Sequence, residues 1–364
     1  MSAGRSLPGA ARAGRTPRLR LRPGVEVFPA DDGDVYLLDA AGRTTIVVRS
    51  PDRSDRGLLE RLSTGPVEAP EGSAVAARLE PLVEAGAVTP VSTSAPLGAA
   101  EGERFSRQLG YLSELGDPND VQRRLRGARV AVLGCGGLGT WAVGALACVG
   151  IGSFVLIDDD AVELSNLNRQ ILYRHADVGA AKVARAAAWL TAFDPTIHVA
   201  ARRERITRPE ALAEALAGCD VLVVVADWPP YELTRWANSV CVARRMPFLT
   251  AGQQPPLLKI GPTYVPGRSA CHACHETQVR RSFPFYDQLA EHRHGHPPEA
   301  ITLGPASGVI GSLLALEVMH LFGTDEPVAT QGRALLLDMR SLEARWEDVE
   351  RDPACPVCRS LLEP

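Results

Sequence analysis

Apolar and polar residues alternate in short runs along residues 24–91. GVEVF, DVYLL and TTIVV, separated by DDG and AAGR turns, predict three short strands of a meander. Leu58, Leu59 and Leu62 mark one helical face, and Val75, Leu79, Leu82 and Val83 follow i, i+4, i+7, i+8 on a second that leads into the strand-like AVTPV. Residues 23–92 are therefore expected to form a small winged-helix-like α+β domain. STSAPLGAAEGE has linker composition, which sets a linker at 93–102 and a longer domain over 103–364.

The pattern then changes to VAVLGCGGLGTWAVGALACVGIGSFVLI (130–157), a stretch without charge. A membrane-spanning helix needs about 20 apolar residues, but seven glycines interrupt this run and four of them crowd into GCGGLG. A strand at 130–133, a turn at 134–139, a helix at 138–149 and a second strand ending before Asp158 fit better. Two strand–helix–strand passages, RVAVLG to FVLIDDD and IHVAA to DVLVVVAD, place the longer domain in the α/β class with a Rossmann-like, mainly parallel sheet.

Composition adds limits. The 364 residues suggest two domains, and a net charge of −4 supplies no field that would recruit nucleic acid or a membrane surface. Residues 1–22 hold six arginines and no acid, without an apolar segment of signal-peptide type, so a disordered basic tail is expected there. Eight cysteines without a secretion signal fit the cytoplasm, where a CxxC pair more often holds a metal than a disulfide.

The glycine turn lets backbone approach a phosphate at a helix N-terminus, through Gly134, Gly136, Gly137 and Gly139. A nicotinamide fold would also place Asp158 on a ribose. Arg169, Lys182 and Asp227 go further, because two cations and a strand-end carboxylate suit a nucleoside triphosphate with Mg²⁺. Lys182 is one of only two lysines, the other being Lys259, in a chain that otherwise uses arginine.

RFSRQL (104–109), GCGGLG, DDDAVELSNLNRQ, VGAAKV, VVVAD and VIGSLLALEVM, with two CxxC pairs, resemble the ThiF/HesA/MoeB adenylyltransferase family, the bacterial relatives of ubiquitin-activating enzymes. The resemblance implies ATP as substrate, Asp158 on the ribose, Arg169 and Lys182 on phosphates with help from Asn166, and Asp227 on magnesium. It further implies a homodimer in which Arg107 reaches into the partner's site. Cys271, Cys274, Cys355 and Cys358 supply four thiolates in two pairs, a set suited to tetrahedral zinc. Relatives that pass their substrate to a thiol need a cysteine in the crossover loop after the first pair, and residues 275–303 contain none. That loop, SFPFYDQLAEHRHGHPPEA, is expected to be a flexible substrate cover.

The ADWPPYELTRWANSVC continuation and the added N-terminal module look most like the microcin C type of peptide adenylyltransferase, which joins a peptide clamp to this fold. The expected function is ATP-dependent activation of a carboxylate of a ribosomally made precursor peptide, as an acyl-adenylate. Amide formation, ring closure and a nucleotide-peptide phosphoramidate stay open as its fate. Two alternatives stand beside this reading: a sulfur-carrier adenylyltransferase of the thiamine or molybdopterin type, and a non-catalytic precursor-docking protein.

Overall fold

The structure, a computed structural model, describes residues 16–39, 42, 44–296 and 301–362. The chain divides into two compact units, Met1–Asp120 and Val121–Pro364.

The first unit runs β1 (Arg18–Leu21), β2 (Glu26–Pro29), β3 (Val35–Leu38), β4 (Thr44–Val48), α1 (Arg53–Thr64), β5 (Val67–Glu68), α2 (Ala74–Glu84), β6 (Val88–Pro90), α3 (Ala99–Phe105) and α4 (Leu109–Leu112). The expected meander is present as the antiparallel sheet β2-β3-β4, and a second sheet, β5-β1-β6, is also antiparallel. Leu19, Leu37, Leu59, Leu62, Leu79 and Val88 close a common core. The two helices of this core start where the sequence can cap them: Asp52 and Asp55 form a capping box on α1, and Ser73 accepts from Ala76 N at 3.1 Å on α2.

Two expectations change here. The basic tail was expected to run to residue 22, but Arg18–Leu21 is a strand between β5 and β6 with Leu19 buried. RLRL is a period-two pattern, and the density of arginine in the segment masked it. Residues 1–15 of that tail lie outside the described residues. The expected linker is partly helical, since α3 begins at Ala99.

The second unit follows α5 (Pro118–Gly127) with β7 (Arg129–Leu133), α6 (Gly137–Cys148), β8 (Ser153–Ile157), α7 (Lys182–Phe193), β9 (His198–Arg202), α8 (Pro209–Ala215) and β10 (Val221–Val224). It continues with α9 (Glu232–Ala243), β11 (Phe248–Gln254), β12 (Leu257–Tyr264), α10 (His272–Ser282), α11 (Tyr286–Gly295), α12 (Gly304–Gly323), β13 (Arg333–Asp338) and β14 (Ala344–Asp348). One eight-stranded sheet takes the order β14-β13-β12-β11-β10-β7-β8-β9. The five strands from β11 to β9 are parallel, and β12, β13 and β14 extend the sheet antiparallel. The α/β reading holds.

α12 has the length and apolar composition of a membrane span, but 56% of its most apolar window is buried. It lies against α6, where a Cβ on Gly311 would stand 2.5 Å from Trp141 Cβ and Gly308 faces the Trp141 ring. Glycine is what permits that approach.

Candidate active site

Parallel strands β7, β8 and β10 end side by side, and the loops leaving them build the site, as in other open α/β sheets where ligands bind beyond the carboxyl ends of the strands. After β7 the chain turns sharply at Gly134, whose φ of +103° excludes most side chains and whose Cβ would stand 2.7 Å from Ala226 N. Gly139 is equally constrained, because a Cβ there would lie 1.9 Å from Gly134 O. Gly136 is the N-cap of α6 and supplies no side chain, so the first-turn N–H groups of α6, beginning at Gly137, have no side-chain cap. That arrangement favours an anion.

Asp158 leaves the end of β8. Its Oδ2 accepts from Cys135 N at 2.6 Å and its Oδ1 from Asp160 N at 2.9 Å. Burial is the largest influence on its carboxyl and raises its pKa above the ordinary 3.8, against the lowering effect of both hydrogen bonds and of Lys182. Lys182 opens α7, is 6% exposed, and donates from Nζ to Asp160 Oδ2 at 2.7 Å. The compact ammonium thus sits beside the Asp158–Asp160 carboxylates.

Arg169 is positioned by the turn before it: its Nη1 donates to Ser165 O and to Asn168 Oδ1, both at 2.9 Å. Its stem lies over the start of α6, with Cδ 3.4 Å from where a Cβ on Gly137 would be. Asn166 is buried and its Oδ1 accepts from Glu163 N, which shapes the same turn. Asp227 stands three residues beyond β10, exposed, with no hydrogen bond or ion pair among the described residues. The structure therefore gathers the glycine turn, Asp158, Arg169, Lys182 and Asp227 within the second unit. Arg107 belongs to the first unit, where it is exposed after α3.

Several participants were not singled out from sequence. Asp160 pairs with Lys182, Asp159 accepts from Arg205 Nε at 2.8 Å, and Tyr173 donates from its hydroxyl to Cys135 O at 2.8 Å. The run of three aspartates at 158–160 was the available signal for the first two.

The crossover segment is not the flexible loop that was expected. It begins at the last residue of α10 and forms all of α11, which packs back on the chain that follows Asp227. His294 stacks on Trp228 with centroids 5.6 Å apart, Tyr286 meets Tyr231 edge to face, and Arg293 donates to the Tyr231 hydroxyl at 3.0 Å. Pro230, Tyr231, Arg235, Ala290, Glu291 and His294 help line a cleft of ≈ 420 Å³ between these elements. Residues 297–300 lie outside the described ones.

Cys271, Cys274, Cys355 and Cys358 converge, all buried, with sulfur separations of 3.9, 3.7 and 3.6 Å for 271–274, 271–355 and 274–358. Zinc–sulfur bonds of about 2.3 Å give a tetrahedron with edges of about 3.8 Å, so the set fits that ion. His272 and His275 turn instead to the Tyr264 hydroxyl, at 3.2 and 2.8 Å.

The family model that matches is the ThiF family, over residues 105–359. The sulfur carrier protein ThiS adenylyltransferase of Escherichia coli is 35% identical over 258 residues, 70% of this chain and 94% of its own length. The SAMP-activating enzyme E1 of Haloferax volcanii is 33% identical over 272 residues, 72% of this chain and 90% of its own. Among solved structures, Escherichia coli MccB with ATP superposes with a TM-score of 0.72 at 24% identity, covering 94% of this chain and 99% of that one. PaaA superposes with a TM-score of 0.68 at 25% identity, covering 90% and 98%.

Proposed function

The chain belongs to the ThiF family and is an ATP-dependent adenylyltransferase; from that premise we propose that its acceptor is the carboxylate of a ribosomally made precursor peptide. The observation that carries this reading is coverage. The sulfur-carrier and SAMP-activating relatives match along most of their own length yet leave more than a quarter of this chain without a counterpart. The MccB fold, in contrast, spans 94% of it, and MccB has been crystallised with MccA. The family model begins at residue 105, beyond the two three-stranded sheets of the first unit, and a sheet edge suits an extended peptide added as a further strand.

The chemistry needs little beyond placement. A peptide carboxylate is ionised at neutral pH and attacks the α-phosphorus of ATP without a general base, forming an acyl–phosphate bond as pyrophosphate leaves. Asp158 accepts hydrogen bonds from the ribose. The α6 N-terminus, Lys182 and Arg169 offset charge on the phosphates, and Arg107 of a second copy adds to them in a cytoplasmic homodimer. Asp227 would hold Mg²⁺, which supplies further charge neutralisation to the triphosphate. The four thiolates would hold a structural Zn²⁺ that ties Cys355 and Cys358 to α10.

The second reading, a sulfur-carrier acceptor, is favoured by the names of the sequence relatives. That those relatives are adenylyltransferases argues against docking without catalysis. ATP–pyrophosphate exchange separates the two acceptors: stimulation by a precursor peptide encoded beside this protein, with KM raised at least tenfold by deleting residues 1–92, supports the proposal. Stimulation by a small carrier ending in Gly-Gly, unaffected by that deletion, overturns it.

A further inference from the structure

The Asp227 carboxylate makes no hydrogen bond or ion pair among the described residues, so the chain on either side of it sets its position. Upstream, Val225 N donates to Leu133 O at 2.9 Å, and Ala226 packs on the turn at Gly134, whose Cβ would stand 2.7 Å from Ala226 N. Downstream come Trp228, Pro229, Pro230 and Tyr231, and the two prolines fix φ, which makes this stretch stiff. Tyr231 ends it in a conformation that a bulky side chain rarely adopts, with φ of +66° and ψ of −46°. Glu232 N donates to Pro230 O at 2.8 Å across it, so Tyr231 is the central residue of a γ-turn of the rare, strained kind.

Such a conformation persists only where its surroundings over-determine it. Here the surroundings belong to α11. Arg293 donates from Nη1 to the Tyr231 hydroxyl at 3.0 Å, the Tyr286 ring meets Tyr231 edge to face with centroids 5.5 Å apart, and His294 stacks on Trp228. Tyr286 is fixed in turn by its hydroxyl, which donates to Oε1 of the buried Glu276 at 2.8 Å, an oxygen that also accepts from Arg235 Nε on α9 at 2.8 Å. Resting on the magnesium reading of Asp227, we propose that Arg293, Tyr286 and Tyr231 are positioning residues for that carboxylate. α11 holds the γ-turn, and the stiff segment between carries the constraint back to Asp227. Without that hold the turn relaxes to an ordinary φ and the carboxylate loses its fixed direction. None of the three is a ligand of the metal or takes a proton in the reaction.

Calorimetric titration of the full-length protein with a non-hydrolysable ATP analogue, in Mg²⁺ and in EDTA, reads the part of the affinity that depends on the metal and needs no acceptor. The wild type is expected to gain about tenfold or more from Mg²⁺. Arg293→Ala and Tyr231→Phe each reduce that gain by about threefold or more, the net worth of one hydrogen bond, with the affinity in EDTA unchanged. The double variant is no worse than either single one, because both delete the same hydrogen bond. Arg293→Lys keeps a donor and most of the gain, and thermal melting confirms that each variant is folded. In the metal-free protein, amide hydrogen exchange over residues 226–235 is expected to be faster in Arg293→Ala than in the wild type. A full gain in Arg293→Ala where Asp227→Asn has lost it overturns the proposal and leaves the magnesium reading standing; equal losses in Mg²⁺ and in EDTA overturn it as well. A wild type without the gain, or Asp227→Asn with all of it, removes the magnesium reading and the proposal together.

Discussion

Lys182 shows what one position can convey. Its rarity as a lysine marked it in the sequence, and the structure explains the choice, because a compact ammonium 2.7 Å from Asp160 Oδ2 fits a buried spot where a planar guanidinium would need more room and more acceptors. Asp227 has no such anchor. Asp227→Ala is expected to lower acceptor-dependent pyrophosphate exchange by roughly 10²–10³-fold, the usual effect of losing one charge-stabilising group, with an unchanged melting curve; full exchange by the variant would remove its assigned role. Asp158 gives a pH prediction. Its pKa is raised by burial, so its ionised form costs stability and its protonated form appears above the ordinary 3.8 as pH falls. Nucleotide affinity should therefore decline on acidification in a limb lying above 3.8, and Asp158→Asn should bind weakly at all pH values with that limb absent, as measured by analogue titration. The charged residues were legible because their types and order follow from phosphate chemistry. Tyr173 was not, since its hydroxyl reaches Cys135 O across 38 residues of sequence and only the fold brings the two together.

Elements were legible where periodicity and punctuation agreed. The glycine turn, β7, β8 and the meander were all placed within a residue or two, because uncharged β-branched runs bounded by glycine or DDG leave little choice. β1 and α11 were missed for opposite reasons: arginines obscured an alternating strand, and a segment rich in histidine and proline concealed a helix held by aromatic contacts with residues 228–231. Two predictions belong at this scale. Gly311→Ala forces a Cβ against Trp141 and should destabilise the protein by about 1–3 kcal/mol, the range for overpacking a tight core; an unchanged melting temperature would mean that α6 and α12 have slack the structure does not show. Cys355→Ser should lower the zinc content measured by atomic absorption and lower the melting temperature of the second unit. Retention of one zinc per chain in Cys271→Ser and Cys355→Ser alike would place the metal elsewhere.

For the whole molecule, the α/β class and the presence of an additional N-terminal module could be read from the chain, whereas the division at Asp120/Val121 could not. Helix α3 starts inside the linker-like segment and α4 and α5 follow without a compositional break, so the boundary is a matter of packing. Shared sites in a dimer can be tested without a structure of the pair. Arg107→Ala and Lys182→Ala should each be inactive alone, and after subunit exchange their mixture should recover up to about a quarter of wild-type activity, the statistical share of intact sites when hybrids form at random. No recovery after exchange has been demonstrated by sedimentation of labelled subunits would show that Arg107 acts within its own chain, or not at all. The packing of α12 on α6 also has a consequence for how the protein is made. Synthesis delivers α6 well before α12, so a partner surface can be waiting when the long apolar helix leaves the ribosome. A substitution that spoils the glycine contacts then does more than loosen a finished fold: it leaves a segment resembling a membrane anchor uncovered in the nascent chain, and the cell would register it first as lost yield, chaperone retention or mistargeting.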